Sequence, residues 1–332
     1  MKKERFAVVT VIGLAGIVLM LILTLHFGAT DYSFDVMKDA LFHFNPDNFD
    51  HITIMNIRLP RFTADLIVGA SLSIAGAIMQ GTTKNPMADS GIMGISAGST
   101  LGVVIVLAFF PSAGRFEKMG ISALGAAIVT ILIYAIAYMG HGHITSDRMV
   151  LSGMAISTLL SSITSAVILK NNLTNQMIRY TSGSSANTIW ADIRIALPFF
   201  LFGVIVSLMI ARGLTIMNLG EEVSKGLGAD PKVIRALSTI VVLILSAVAV
   251  IIIGPVSYIG LMIPYIVRYM VGVDYRYVIP TCGIYGALFV SGVDLIAKMI
   301  HPGREFPIGL LITLIGVPFF IYVSRRQEGD SF

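Results

Sequence analysis

Charged side chains stand four residues apart in two of the apolar stretches of this chain. Arg61 and Asp65 form one such pair, and Asp294 and Lys298 form the other. Residues four apart share a helix face, so each base can neutralise a nearby acid and lower the cost of a charge inside a membrane. Together with Arg58, the same bases could instead form a basic rim that receives an acidic partner. The residues alone leave both interpretations open.

Other patterns that carry chemistry are missing from the sequence. There is no Ser/His/Asp set, no catalytic carboxylate pair and no GxxxxGK[ST] phosphate loop, so we predict a protein that is not an enzyme. His141 and His143 form an HxH pair with no third ligand nearby, which favours a polar loop over a metal site. The single cysteine, Cys282, excludes an internal disulfide. We predict no metal or cofactor bound by this chain.

The composition is that of a membrane protein. Of 332 residues, 55% are hydrophobic and 13% are charged, and the mean hydropathy is +0.85. Soluble domains carry about 25% charged residues. The net charge of +4 comes without a basic run interleaved with aromatic residues, so nucleic acid is not a predicted partner. Loops at a membrane surface explain this charge better.

About ten apolar stretches are long enough to be helical spans. The first, 6–27, follows Lys2, Lys3 and Arg5, and an even number of spans places both termini in the cytoplasm. The others are 58–86, 91–110, 119–139, 149–169, 195–210, 237–253, 256–270, 278–300 and 307–323. The sequence therefore predicts an all-α, polytopic membrane protein with a single transmembrane domain over residues 1–332.

Several shorter features interrupt this pattern. Residues 28–56 form a polar, extracytoplasmic stretch with an amphipathic helix near 36–44, and 170–194 is long enough to hold another short helix. Gly254-Pro255 breaks a span, and the following stretch, 256–270, is expected to be short and irregular. Irregular backbone at membrane depth survives only against protein or a water-filled cavity. This stretch is therefore predicted to line a pathway.

Glycines repeat every four residues at the start of the third span. Gly94, Gly98 and Gly102 form two overlapping GxxxG units on one helical face. Small residues let helix backbones approach closely in a membrane, so close helix packing is the first interpretation. A smooth wall for a bulky solute is the second.

The longest charged interruption in the second half of the chain is 212–235. Leu219, Val223 and Leu227 fall four residues apart and give a short helix one apolar stripe, with charged residues on its other sides. Asp230 before Pro231 is typical of an N-cap that starts the next helix. The segment is either a solvated loop or a docking element for a soluble partner. Because few ionisable groups lie inside the spans, energy is expected to come from outside the chain.

Four ordered motifs resemble one family of membrane proteins. They are RLPRFTADLIVGASLSIAGAIMQGTTKNPMADSGIMGISAGSTLG (58–102), LGEEVSKGLGAD (219–230), GPVSYIGLMIPYIVRYMVGVDYR (254–276) and EFPIGLLITLIGVPFFIY (305–322). These motifs are similar to the permease subunits of bacterial ABC importers for iron-siderophores, haem and cobalamin, which have the type II importer fold. The resemblance covers nearly the whole chain. It implies import across the bacterial cytoplasmic membrane by alternating access, with an iron-siderophore as the first cargo and haem or cobalamin as alternatives.

The resemblance also implies partners and roles for particular residues. A second permease (the same chain or a paralogue), two ABC ATPase subunits that use ATP and Mg²⁺, and an extracytoplasmic substrate-binding protein are expected. Arg58, Arg61 and Lys298 match positions that dock the binding protein, and Thr145, Ser146 and Asp147 occupy a loop that helps close the cytoplasmic gate. Coupling to the ATPase is expected at Leu219, Gly220, Glu221, Glu222, Val223, Lys225, Leu227 and Asp230. An ATP-independent secondary transporter or channel is the competing hypothesis, and a membrane enzyme is third.

Overall fold

The computed structural model describes residues 2–89, 94–139, 146–181, 183–300 and 306–329, and this part of the chain is helical, with no strand. The helices are α1 Lys2–His26, α2 Phe34–Phe42, α3 Phe49–Thr53, α4 Leu59–Thr83, α5 Ile95–Phe109, α6 Arg115–Met139, α7 Ser146–Lys170, α8 Thr174–Thr181, α9 Trp190–Asn218, α10 Glu221–Gly226, α11 Pro231–Ile253, α12 Ile259–Val271, α13 Tyr275–Ile300 and α14 Ile308–Gly329. A π-helical turn, Ile54–Arg58, joins α3 to α4. The predicted all-α class is confirmed.

Two kinds of helix account for the predicted spans. Among the described residues, seven helices are long and apolar enough to cross a membrane, and they lie at 3–26, 49–83, 116–133, 151–170, 190–218, 231–253 and 275–300. Three shorter apolar helices lie at 95–109, 259–271 and 308–323. The prediction of about ten spans counted both kinds. The short helices expected near 36–44, within 170–194 and within 212–235 are α2, α8 and α10.

Helix α4 is the centre of the packing and contacts α13, α11, α9 and α12. Its glycines explain how neighbours come so close: a Cβ atom at Gly69 would overlap the backbone of Gly286 on α13, and one at Gly76 would overlap Gly260 on α12. Without a hydrophobic force between helices in lipid, such close backbone contact is what holds helices together. The small residues of the second span thus build the core.

The direction of the helices gives the molecule two distinct ends. Helix α1 runs parallel to α13, because Gly13 lies against Ile284 and Gly16 lies against Leu288, whereas α4 runs antiparallel to α13. The end formed by the last turns of α1 and α13 and the first turn of α4 is called the rim end below. The opposite end holds the first turns of α1 and α13 and the 212–235 segment, and is called the coupling end.

The predicted irregular span is only partly irregular. Gly254, at φ 84°, ends α11, and Tyr258, at φ 75°, precedes α12. From Ile259 onwards the chain is a regular helix that runs through Gly260 and Pro264. The break is thus confined to the five residues 254–258.

Candidate functional site

The 212–235 segment is a short helix fixed to the end of α9. The buried Ser224 hydroxyl on α10 donates hydrogen bonds to the carbonyl oxygens of Gly220 (2.7 Å) and Ile216 (3.1 Å). Gly220 turns the chain with φ 122°, a conformation that favours glycine. These contacts set the angle at which α10 leaves α9.

The start of the next helix is built as the sequence predicts. The Asp230 carboxylate accepts a hydrogen bond from the backbone N–H of Lys232 at 2.8 Å, and Pro231 is the first residue of α11. An N-cap of this kind satisfies a donor that the helix itself leaves unpaired. The segment is therefore held at both of its ends.

The three residues of the predicted apolar stripe lie on the protein surface, but only Val223 is within α10, since Leu219 follows α9 and Leu227 follows α10. Leu219 is 64% exposed, Val223 is 48% exposed and Leu227 is 60% exposed. Lys225 and Asp230 are exposed beside them. Glu221 and Glu222 begin α10, and their side chains lie outside the described part. Exposed apolar groups framed by polar ones are typical of an interaction surface.

A second contact behind this segment ties α9 to α13. The Thr215 hydroxyl donates to Asp274 Oδ1 at 3.3 Å and accepts a hydrogen bond from the backbone N–H of Tyr275 at 2.9 Å. Arg276 Nη2 donates to Asp274 Oδ2 at 2.7 Å. The Arg276 hydrogen bond, with that of Thr215, holds the pKa of the Asp274 carboxyl below its usual value despite partial burial. These hydrogen bonds join the last turns of α9 to the first turn of α13.

At the rim end, Arg58, which sequence reasoning assigned to a basic rim, is largely buried. It is only 7% exposed. Its guanidinium donates to the backbone carbonyls of Leu25, His26 and Thr30, and its Cζ atom lies 4.4 Å from the centre of the Tyr32 ring. The last carbonyls of a helix have no partner within that helix, and Arg58 supplies one for α1. Its role in the structure is to join α1 to α4.

Arg61 and Lys298 meet at one carboxylate. Arg61 Nη2 lies 2.6 Å from Asp294 Oδ1, and Lys298 Nζ lies 2.8 Å from Asp294 Oδ2. The two basic side chains are 13% and 11% exposed, and Asp294 is fully buried. The predicted pair of Asp294 with Lys298 is confirmed. The predicted pair of Arg61 with Asp65 is wrong, because close packing of α4 on α13 brings Asp294 within reach of Arg61.

Asp65 is a buried acid on α4, one helical turn from Arg61. It is fully buried, and neither of its carboxylate oxygens receives a hydrogen bond in the described part of the chain. The buried Ser185 side chain lies beside it without meeting hydrogen-bond geometry.

Two buried polar residues that the sequence reasoning missed hold the break before α12. Asp89 Oδ2 accepts a hydrogen bond from the Tyr258 N–H at 3.2 Å, and Gln80 Nε2 donates to the Gly260 carbonyl at 3.1 Å. Both side chains are almost fully buried. The sequence held two signals for these contacts: a single amide, Gln80, within a span of small residues, and a single acid, Asp89, just after that span. Both suggest a contact with another segment, because buried polar groups need hydrogen-bond partners.

The glycines predicted to pack closely against another helix lie on or just before α5, next to α6. Gly98 and Gly102 face the backbone of α6. A Cβ atom at Gly98 would lie 2.5 Å from the Gly125 carbonyl oxygen, and one at Gly102 would lie 2.7 Å from the Ile121 carbonyl oxygen. Gly94 precedes α5 with φ 78°.

Ser146 and Asp147, two of the predicted gate residues, begin α7, and their side chains are outside the described part. Thr145, His141 and His143 lie outside the described residues altogether.

Comparison with known proteins identifies the family of this all-helical chain. The model of the FecCD transport family matches residues 16–326. The chain belongs to the FecCD transport family. The iron(3+)-hydroxamate import system permease protein FhuB of Bacillus subtilis is 34% identical over 321 residues, which cover 97% of this chain and 84% of FhuB. The iron-uptake system permease protein FeuB of the same organism is 33% identical over 329 residues, covering 99% of this chain and 98% of FeuB.

A solved structure shares the fold of this FecCD chain. It is an ABC transporter of the metal-chelate type in an inward-facing conformation, and it matches with a TM-score of 0.84 at 24% sequence identity, covering 98% of this chain and 99% of that chain. The predicted permease family and its fold are thereby confirmed. The chain is a multi-pass protein of the inner membrane.

Proposed function

We propose that this chain is the membrane-spanning permease of an ATP-driven importer that passes an iron-siderophore to the cytoplasm by alternating access. Membership of the FecCD family is the observation that carries this proposal. The names of FhuB and FeuB, which refer to iron(3+)-hydroxamate import and iron uptake, favour an iron chelate as cargo. Haem and cobalamin are the alternative cargoes.

The energy source is a separate ABC ATPase that docks on the coupling end. The sequence has no phosphate-binding loop, so ATP and Mg²⁺ belong to the partner and not to this chain. The exposed stripe of Leu219, Val223 and Leu227 is the surface that such a partner would cover. Two ATPase subunits and a second permease, identical or paralogous, complete the membrane assembly.

The contacts behind the stripe supply a route for the movement. Ser224 fixes α10 to α9, and Thr215 with Asp274 fixes α9 to α13, so a displaced α10 pulls on helices that pack around α4. Alternating access needs such rigid elements that shift together. The coupling end is then cytoplasmic, as are both termini, and the rim end faces the binding protein.

The test is whether the stripe retains the ATPase. The variant Leu219→Ser/Leu227→Ser is expected to lose co-purification of the ATPase while the permease stays folded, since both side chains are already exposed. Val273→Ser is the matched control, because Val273 is exposed at the coupling end but outside the stripe. Retention of the ATPase by the double variant would contradict the coupling role.

The competing function has a test of its own. If proteoliposomes holding this chain alone take up the ferric siderophore without ATP, the chain is a secondary transporter or channel.

A further inference from the structure

The charged cluster at the rim end holds two bases on one acid and leaves a second acid without a base. Arg61 on α4 and Lys298 on α13 both bind Asp294, which is buried. Asp65, also buried, lies one helical turn below Arg61 and receives no hydrogen bond from the residues that the structure describes. The cluster thus holds two bases and two acids, but both bases bind the same acid.

A second pairing of the same four groups satisfies both acids. Arg61 and Asp65 are four residues apart on α4, and Asp294 and Lys298 are four residues apart on α13, so each helix can neutralise its own acid. A buried carboxylate without a partner is costly, which favours transfer of Arg61 to Asp65. Against this, the observed pairing provides a bidentate Arg61–Asp294 contact between the helices, with Nη2 donating to Oδ1 at 2.6 Å and Nε donating to Oδ2 at 3.1 Å.

The two pairings differ in whether α4 is tied to α13 at the rim end. Further down, the two helices touch backbone to backbone at Gly69 and Gly286. This contact lies eight residues, about 12 Å, from Arg61 on one helix and from Asp294 on the other. The glycine contact holds the two helices together at this depth, and the Arg61–Asp294 pair joins them again nearer the rim end.

We propose that Asp65 is the alternative acceptor for Arg61, so that the rim end has a closed state with Arg61 on Asp294 and an open state with Arg61 on Asp65. Asp65 is a positioning residue, which acts by moving Arg61. Elements with two discrete arrangements are what conformational cycles require. Use of this switch in transport rests on the proposed function, whereas its existence in the permease does not.

Spin labels at the rim end test the proposal. Ile57 before α4 and Ile300 at the end of α13 are exposed, and the single native cysteine, Cys282, can be replaced by alanine. Distances between labels at Ile57→Cys and Ile300→Cys are measured by double electron–electron resonance in nanodiscs. The labelled chain is diluted with unlabelled chain, so that only distances within one molecule are detected.

The expected results differ among three variants. The unmodified pair should give a short distance and a second one at least ~2 Å longer. Asp65→Asn should keep only the short distance and raise the unfolding temperature by several degrees, because it replaces a buried acid that receives no hydrogen bond from the described residues. Asp294→Asn should keep only the long distance. Asp35→Asn, an exposed acid on α2 at the same end, should change neither.

Two results would overturn the switch. A single distance that is the same in the unmodified pair and in Asp65→Asn would make the Arg61–Asp294 bond a fixed contact. A fall in the unfolding temperature of Asp65→Asn would show that the carboxylate stabilises the observed state. Neither result depends on ATP or cargo, so each is distinguishable from failure of the importer proposal.

Discussion

Arg58 gives the sharpest test of the structure, because its sequence-based role and its structural role predict different outcomes. As a docking residue, Arg58 could be replaced without loss of stability. In the structure its guanidinium serves the carbonyls of Leu25, His26 and Thr30 and stacks on Tyr32. Arg58→Met keeps the apolar stem and removes all four contacts. We therefore expect this variant to unfold more easily.

The size of the effect follows from these contacts. A hydrogen bond to a charged group contributes about 1.5–3 kcal/mol to stability, and a cation over an aromatic ring adds about 0.5–2 kcal/mol. The three hydrogen bonds are not additive, since they share one guanidinium and water can reach some of the freed carbonyls. We take about 4 kcal/mol as the expected loss in the free energy of unfolding, below the simple sum.

The assay is unfolding of the purified permease in detergent, followed by tryptophan fluorescence and by size exclusion. Lys38→Met is the control, since Lys38 is an exposed base on α2 at the same end. The free energy of unfolding of Arg58→Lys should lie between those of Arg58→Met and the unmodified protein, because lysine keeps the charge but lacks the planar guanidinium that reaches several carbonyls. If Arg58→Met lies within ~0.5 kcal/mol of the unmodified protein, like an ordinary surface substitution, the structural role is refuted.

Two further predictions concern helix packing and pH. Gly98→Ala should lower the free energy of unfolding by about 1–3 kcal/mol, because its Cβ atom would press on the α6 backbone. Gly120→Ala is the control: its Cβ atom would lie in open space, so this variant should be neutral or stabilising by up to ~1 kcal/mol. If the two variants change the free energy of unfolding equally, the close packing at Gly98 is contradicted. Asp274 has a lowered pKa, so its contribution is complete above its unfolded pKa of about 3.9 and is lost as pH falls through the lower folded value. Asp274→Asn should therefore have a lower unfolding temperature than the unmodified protein at neutral pH, and its unfolding temperature should fall less as the pH drops below about 4. Parallel curves of unfolding temperature against pH for the two proteins would contradict this.

The features that sequence predicted well are those set by nearby residues. The N-cap at Asp230 depends on spacing within a few residues, and the structure has it. The short helix was also predicted, but α10 spans only Glu221–Gly226, so Leu219 and Leu227 flank the helix and only Val223 lies on it. The spans follow from hydropathy and length, which are also local properties. Family resemblance then supplied the function, which no local pattern contains.

The features that sequence reasoning missed depend on contacts between distant residues. Arg61 was paired with Asp65 because only neighbours on one helix could be compared, whereas its partner Asp294 is 233 residues away. Arg58 is buried by carbonyls about 30 residues earlier in the chain, and Asp89 binds the backbone of Tyr258, 169 residues later. The Arg61–Asp294 pair, for example, forms where the small residues of α4 bring α13 into backbone contact.

The central claim is that this chain imports a metal chelate with energy from a separate ATPase. Its most direct measurement is uptake of a radiolabelled ferric siderophore by proteoliposomes that contain the permease, its ATPase and the binding protein. The account predicts uptake that requires ATP on the ATPase side and stops when the ATPase is omitted. Uptake at the same rate without ATP or without the ATPase would contradict it.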